Sequence, residues 1–399
     1  MVTSARCTTE QAGSVMSTHP TPGPREIPKV SIVDPDILVG ESPLVVRDRH
    51  FDHRRAITTR MKRTERRMRK PLWRRGLKIV VVIVLTPILF YIGIVGCMML
   101  FSGDPTNGHW KTDDKGKQYA DTYEQALQTL PKPSEQYDVP TDFGTVRVYL
   151  WSNDTVKDKT PIVLLPGRTA GAPMWSADLP YLITERPVYA LDAIGDAGMS
   201  VQTKLIESSA DQARYLEQTF DYLKIAKLNL VGHSFGGYNA ANYVTQYPER
   251  VASLSLIEPV FVLKGIKPTL MLKMVSASLP GAPKSWMDSA VADISGETSY
   301  NPSDPIQRMI KEGTDYYESS LPLVETITPE QASKWSMPVY IAMAQNSTKL
   351  HDPVKIAQLA RQNIKLAESK VWQDATHYLP MKSPKDISAA ILSNTDRVE

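Results

Sequence analysis

The hexapeptide Gly-His-Ser-Phe-Gly-Gly at residues 232–237 constrains the fold of this 399-residue chain more than any other feature. It follows the apolar run 227–231 and precedes a helix-compatible stretch, 238–247. A strand, a Gly-x-Ser-x-Gly turn and a helix hold the serine on a sharp, strained turn. The flanking glycines let the strand and helix pass close together. We predict that Ser234 stands exposed above a sheet, where the helix N-terminus favours a developing negative charge.

Strand-like and helix-like segments alternate along the second half of the chain, which is the signature of an α/β fold. Residues 145–150 alternate like a strand at a sheet edge, and residues 208–223 have the spacing of an amphipathic helix. The other strands are predicted at 161–165, 188–191, 227–231, 252–257, 339–343 and 370–372. Between about 262 and 336 the pattern breaks into helix-like pieces separated by prolines. An insertion there would lie over the carboxyl ends of the strands like a lid.

A second feature is the segment 79–101, which has 23 residues and no charge. As a helix it would be about 35 Å long, enough to cross a hydrocarbon core of about 30 Å. A leader of 78 residues and the lack of an Ala-x-Ala site after Phe101 argue against a cleaved signal peptide. We therefore predict one transmembrane signal anchor.

The charge distribution predicts the orientation of that anchor. Between Arg47 and Lys78 there are 14 Lys and Arg but three Asp and Glu, although the whole chain has a net charge of only +3. The positive-inside rule then places residues 1–78 in the cytoplasm, as a disordered basic tail, and everything after Phe101 outside. Residues 102–138 are predicted to be a polar extracytoplasmic tether with one short helix near 119–130. We interpret the basic cluster as a topology determinant, not as a nucleic-acid site.

Several landmarks in the order of the elements give the chain, over about 139–399, a resemblance to the α/β-hydrolase superfamily. Residues 165–168, Leu-Pro-Gly-Arg, stand where that family has its oxyanion loop, and 192–200 look like the glycine-rich loop after its fourth strand. Residues 374–378, Asp-Ala-Thr-His-Tyr, follow the last strand as the family's catalytic histidine does. The resemblance implies a mostly parallel central sheet flanked by helices, with a helical cap at about 262–336.

A general base must take the proton of the serine hydroxyl. His377 has the position that the resemblance implies for this base. His233 is expected to point away from the nucleophile, and His109 and His351 are expected to be solvated residues in surface loops. The three remaining histidines precede the predicted anchor.

The acid that orients the histidine is less certain from the sequence, because the usual position near Ser347 has no carboxylate. Glu258, at the end of the strand 252–257, is one candidate, since some branches of the family have their acid there. Asp352 is the alternative and would need a longer loop; its other interpretation is a helix N-cap. Glu258 is favoured, and Asp374 is expected to be structural.

The remaining parts of the site are the oxyanion donors and the reaction type. The backbone N–H groups of Phe235 and Arg168 are the predicted donors. A serine nucleophile, instead of an aspartate, favours acyl transfer to water through an acyl-serine. No metal-binding or nucleotide-binding motif is apparent, so no cofactor and no metal are expected.

The sequence therefore predicts a membrane-anchored serine hydrolase on the outside of a bacterial cell, cleaving a small-molecule ester or lipid-like substrate. Apolar residues at 270–274 agree with an apolar substrate portion, although such residues also form lid cores. Two alternatives remain: a haloperoxidase-like or peptidase activity at the same serine, and an inactive hydrolase fold that serves as a binding or scaffold domain. Nothing in the sequence indicates the oligomeric state.

Overall fold

The structure is a computed structural model that describes residues 106–279, 281–297 and 300–398, with scattered positions between 82 and 94. The chain divides into Met1–Thr86 and Pro87–Glu399, and every element named below belongs to the second unit. The predicted tail lies outside the described residues, and so does most of the predicted anchor. Among the residues that are described, no helix has both the length and the apolar character needed to span a bilayer.

A mixed sheet forms the centre of the described region. Its strands are β2 (Glu135–Thr141), β3 (Gly144–Trp151), β4 (Ile162–Leu165), β5 (Val188–Leu191), β6 (Val201–Gln202), β7 (Leu228–His233), β8 (Val251–Ile257), β10 (Val339–Ala344) and β11 (Ala367–Trp372). The order across the sheet is β11-β10-β8-β7-β4-β5-β3-β2, and β6 pairs with β3. The strands from β11 to β5 are parallel, whereas β3 is antiparallel to β5, β2 and β6. A separate two-stranded ribbon joins β1 (His109–Trp110) to β9 (Tyr317–Glu318).

The sequence pattern of the central strands explains their burial. Strands β4, β7, β8 and β10 are buried at every position, as expected for parallel strands that are covered on both faces. The prediction that 145–150 lies at the sheet edge is wrong, because β2 pairs with residues 144–150 of β3 and forms the edge instead. Strand β2 contains Pro140 and several polar residues, which suit an edge.

Helices cover both faces of the sheet and the carboxyl ends of its strands. They are α1 (Asp113–Leu127), α2 (Leu179–Leu182), α3 (Ser209–Tyr222), α4 (Phe235–Gln246), α5 (Pro268–Ala277), α6 (Lys284–Ser295), α7 (Pro305–Tyr316), α8 (Pro329–Ala332), α9 (Pro353–Asn363), α10 (Leu379–Lys382) and α11 (Pro384–Thr395). The predicted amphipathic helix at 208–223 is α3, which begins at a reciprocal cap between Ser208 and Asp211. The insertion predicted between β8 and β10 contains helices α5 to α8.

The structure differs from the sequence analysis at the predicted tether. Residues 109–138 contain β1, the 15-residue helix α1 and the start of β2. Tyr119 and Tyr123 of α1 are buried in the same apolar cluster as residues of β4 and β5. The short helix predicted near 119–130 overlaps α1, which begins earlier, at Asp113. Helix α1 is polar on average, so the sequence pattern did not indicate that it packs against the domain. This segment is part of the folded domain.

Candidate active site

The turn between β7 and α4 has the strained geometry that the glycine pattern predicts. Ser234 has φ 53° and ψ −117°, a region that residues other than glycine seldom occupy. A Cβ atom at Gly232 would lie 2.2 Å from the carbonyl oxygen of Gly236, and one at Gly236 would lie 2.3 Å from the carbonyl oxygen of Leu165. No side chain fits at either glycine, and this close approach leaves the Ser234 side chain half-buried at the carboxyl end of β7.

His377 is the histidine that the fold brings to this serine. It lies in the loop after β11, and its Nε2 is 2.8 Å from Oγ of Ser234. The ring is nearly buried, and its backbone N–H donates to the carbonyl oxygen of Ser295 in α6 at 3.2 Å. The cap therefore helps to hold the loop that presents the base to the nucleophile.

Glu258 is the acid that the fold brings to His377. Its Oε2 lies 3.0 Å from Nδ1 of His377, and its Oε1 accepts the backbone N–H of Ala344. The residue is fully buried and has φ 49°, so its backbone is strained as that of the nucleophile is. Burial alone raises the pKa of this carboxyl, but contacts with His351 and His377 outweigh burial and hold the pKa well below its usual value.

An ionised Glu258 determines the tautomer of His377. A carboxylate only accepts hydrogen bonds, so the proton of the neutral imidazole must be on Nδ1. Nε2 is then free to accept the O–H of Ser234, which is the arrangement required of a general base. The three side chains form one continuous hydrogen-bonded line from carboxylate to hydroxyl.

Asp352, the alternative acid, lies apart from this line. It is the N-cap of α9, where its side chain accepts the backbone N–H of Lys355 at 3.1 Å. Its other oxygen is 3.7 Å from Nζ of Lys264, and 46% of the side chain is exposed. Its geometry is that of the helix N-cap, which the sequence analysis weighed as the other interpretation. Asp374 is exposed and has φ 56° in the turn after β11.

The expectation that His351 is a solvated surface residue is wrong. His351 is only 1% exposed, and its Nε2 lies 3.3 Å from Oε2 of Glu258. Ser347, at the position where the family usually has its acid, is equally buried. Its hydroxyl has no hydrogen-bond partner among the described residues. The polar sequence around position 351 gave no sign of this burial.

His233 has a closer relation to the site than the sequence indicated. Its Nε2 lies 2.8 Å from the backbone carbonyl oxygen of His377, so Nε2 carries the proton and donates. Burial, followed by the nearby ring of His377, lowers the pKa of His233 to about 3. His233 is therefore neutral at physiological pH, and its side chain ties the turn that bears Ser234 to the loop that bears His377.

The two predicted oxyanion donors belong to segments next to Ser234: Phe235 follows it in the chain, and a Cβ atom on Gly167, the neighbour of Arg168, would lie 3.3 Å from Cβ of Ser234. Phe235 is the first residue of α4, so its N–H has no acceptor within the helix. Arg168 follows β4; its Nε pairs with Asp196 at 3.2 Å, and its guanidinium lies 5.2 Å from the centre of the Phe235 ring. The Arg168 side chain is thus engaged by the protein, which leaves the backbone N–H as the group for an oxyanion.

The loop after β4 is held by a buried carboxylate. Asp192, at the end of β5, accepts the backbone N–H groups of Ala172 and Met199, each at 2.6 Å, and the hydroxyl of Tyr123 at 3.1 Å. Burial raises the pKa of Asp192, and these hydrogen bonds partly offset the rise. The carboxylate joins the loops after β4 and β5 to helix α1.

Helix α7 of the cap contacts the same loop from the other side. Oγ1 of Thr169 lies 3.0 Å from Oγ1 of Thr314, and Thr169 has φ 58°. A Cβ atom at Gly313 would lie 2.9 Å from Cβ of Ala197 and 3.1 Å from the carbonyl oxygen of Thr169. Only a glycine permits α7 to pack this closely against the residue next to Arg168.

No cluster of three or more His, Cys, Asp or Glu side chains able to hold a metal ion occurs in the described part of the chain. A depression of about 650 Å³ opens at the amino ends of the strands, where Asn229, Val251 and Pro338 line it. Because Ser234 follows the carboxyl end of β7, this depression is at the opposite end of the sheet from the site.

Comparison with known proteins places this geometry in a known fold. Residues 160–294 match the family model described as the alpha/beta hydrolase fold. Carboxylesterase YbfK of Bacillus subtilis is 25% identical over 287 residues, which cover 70% of this chain and 94% of the relative. A second B. subtilis protein, the uncharacterized carboxylesterase nap, is 23% identical over 70% of this chain and 92% of its own length.

Among solved structures, naproxen esterase (carboxylesterase NP) from B. subtilis superposes with a TM-score of 0.62 at 22% identity. The match covers 71% of this chain and 99% of that structure. The strand order, the turn at Ser234 and these comparisons agree, and the chain is an α/β-hydrolase-fold protein with carboxylesterase homologues.

Proposed function

We propose that this protein is a membrane-anchored serine hydrolase that cleaves a carboxylic ester through an acyl-serine intermediate. The observation that carries the proposal is the hydrogen-bonded line from Glu258 through His377 to Ser234, with distances of 3.0 and 2.8 Å. A shared fold alone does not determine the reaction. The carboxylesterase homologues give separate support for an ester-hydrolysing enzyme.

The roles follow from the geometry. Ser234 attacks the ester carbonyl while His377 Nε2 takes its proton, and the ionised Glu258 stabilises the resulting imidazolium. The N–H groups of Phe235 and Arg168 stabilise the tetrahedral oxyanion. His377 then protonates the leaving alcohol, and a water molecule releases the acyl group by the same steps. Serine at the turn supports acyl transfer over chemistry that needs a carboxylate nucleophile.

The inactive-scaffold alternative was motivated by the missing acid near Ser347. Glu258 supplies a buried carboxylate to His377 from the neighbouring strand, so that motive is removed. A haloperoxidase-like or peptidase activity would use the same three side chains, and analysis of the products distinguishes it from ester hydrolysis.

The test of the reaction uses the full chain in detergent. We expect turnover of p-nitrophenyl esters of graded chain length and labelling by a fluorophosphonate. Both should be lost in Ser234→Ala, while the thermal melting curve is unchanged. A folded wild type that neither turns over an ester nor takes the label would contradict the proposal and favour a binding role.

The anchor is proposed from the sequence of residues 79–101 and from the basic residues before it. We expect the full chain to stay in the membrane pellet after extraction with alkaline carbonate, and a chain lacking 79–101 to be released. An alkaline phosphatase fusion after Glu399 should be active and one within residues 1–46 inactive. The reverse pattern of fusions would place the catalytic domain in the cytoplasm.

A further inference from the structure

His351 is a buried histidine to which the catalytic line assigns no role. It directly precedes Asp352, the N-cap of α9, and its backbone N–H donates to the carbonyl oxygen of Ser347 at 3.1 Å. Only 1% of its surface is exposed, which is unusual for a polar ring in a loop.

The ring of His351 has one polar neighbour of note. Its Nε2 lies 3.3 Å from Oε2 of Glu258, the same oxygen that His377 Nδ1 contacts at 3.0 Å. By hydrogen-bond geometry neither ring nitrogen has a partner among the described residues, so the approach to Oε2 is within hydrogen-bond distance but is not aligned as a hydrogen bond. The position of the ring is therefore explained by the carboxylate and by packing.

Glu258 needs such a neighbour because it is ionised and fully buried. A buried charge is unfavourable unless hydrogen-bond donors surround it. The backbone N–H of Ala344 donates to Oε1. Without His351, Oε2 would have His377 as its only side-chain donor, and the charge of that donor changes during the reaction. A second donor on Oε2 fixes the carboxylate in the plane that His377 requires, both before and after proton transfer.

We propose that His351 is a positioning residue, whose Nε2–H donates to Oε2 of Glu258 and keeps the carboxylate ionised and aligned with His377. The inference rests on the proposed hydrolase function for its effect on rate, but the alignment itself does not depend on turnover. His351 does not contact the substrate in this role and acts through Glu258.

The experiment compares two variants of the full chain. His351→Leu removes the N–H donor and replaces the ring with an apolar side chain of similar bulk. His351→Gln keeps an N–H donor near the position of Nε2. We expect kcat for a p-nitrophenyl ester to fall about 10- to 100-fold in His351→Leu, as for a misplaced catalytic group, with KM changed less than twofold. In His351→Gln, kcat should stay within about threefold of wild type.

A second readout does not require turnover. The Nδ1 proton of His377, held against Glu258, should give a low-field proton resonance in wild type and in His351→Gln. That resonance should be lost or broadened in His351→Leu. If His351→Leu does not fold, His351→Met, which is unbranched and flexible, takes its place in both measurements.

Two results would overturn the inference: unchanged kcat and resonance without the donor, or equal losses in His351→Gln and His351→Leu. If wild type shows the expected resonance pattern but neither turns over esters nor takes the fluorophosphonate, the proposed function fails while the positioning role stands. If esters are turned over and the resonance does not depend on His351, the function stands and the positioning role fails.

Discussion

The two sides of Ser234 are held by different kinds of contact. On the acid–histidine side, Glu258 and His377 follow two strands of the central sheet and are fixed by short, buried hydrogen bonds. On the oxyanion side, the loop after β4 is held by the carboxylate of Asp192, which follows β5, and by packing against the cap. Thr169 contacts Thr314 of α7, and Gly313 packs on that residue and on Ala197.

Helix α7 is in turn held by residues near the start of the continuously described region. The backbone N–H of Lys111 donates to the carbonyl oxygen of Tyr316 at 2.9 Å, and Nε2 of Gln118 donates to Glu312 at 3.0 Å. Strand β1 pairs with β9 directly after α7. The comparison teaches that the proton-transfer groups are joined to one another and to the sheet, with one backbone contact to Ser295 of the cap. The oxyanion loop depends on Asp192, on helix α7 and on the segment that follows the predicted anchor.

The largest effect is expected on the acid–histidine side. Glu258→Gln should lower kcat/KM about 10³- to 10⁴-fold, because a neutral amide neither stabilises the imidazolium nor holds the required tautomer. Asp352→Asn is the matched control and should stay within twofold, since an asparagine also caps a helix. Steady-state kinetics on the same ester measure both. Equal losses of kcat/KM in the two variants would contradict the assignment of Glu258 as the acid that orients His377.

A smaller effect is expected on the oxyanion side. Gly313→Ala places a methyl group against Ala197 and Thr169 and should push α7 away from the loop that contains Arg168. Losing a whole oxyanion donor lowers kcat by about 10²- to 10³-fold. Because Gly313→Ala displaces the donor without removing it, we expect kcat to fall less, by about tenfold. The control is Gly265→Ala in the cap segment, where the added methyl meets only Oγ1 of Thr326, at 3.3 Å. Unchanged kcat in folded Gly313→Ala would mean that the loop does not depend on α7.

The smallest effect is on stability and comes from His233. Its pKa is lowered from 6.5 to about 3, so the unfolded chain binds a proton in this range that the folded chain does not. The free energy of unfolding should therefore fall as pH drops from 6.5 towards 3, by at most about 1.4 kcal/mol per pH unit from this group. Urea unfolding at several pH values measures it, with His233→Asn as the comparison. Equal slopes in the two proteins would contradict the assignment.

The sequence predicted those parts of the site that depend on local pattern. The turn at Ser234 requires glycines at fixed positions, and buried parallel strands require continuous apolar runs, so both were visible in the residues alone. Glu258 was named because it follows such a run at a place where some branches of the resembling family have their acid, and it was favoured over Asp352. The structure distinguishes the two acids by geometry, since Glu258 contacts His377 and Asp352 caps α9.

The parts that the sequence did not predict depend on tertiary packing. Nothing near His351 distinguishes a buried ring from a solvated one, because its burial comes from residues distant in the chain. Helix α1 is polar on most of its surface, so the sequence predicted a short helix within a tether and gave no sign that Tyr119 and Tyr123 anchor it to the domain. The contact between Gly313 and Thr169 joins residues 144 positions apart and has no local signature.

The hydrogen bond from His233 to the carbonyl oxygen of His377 closes a ring of bonds. Consecutive residues 233 and 234 contact the backbone and the imidazole of one and the same histidine, at 2.8 Å in each case. The serine and its base therefore cannot separate by a sliding of the loop alone, because that movement stretches the backbone contact as well. Since burial and the nearby ring of His377 lower the pKa of His233 to about 3, the ring that makes this link is neutral at physiological pH, and the imidazolium of His377 faces no second charge there.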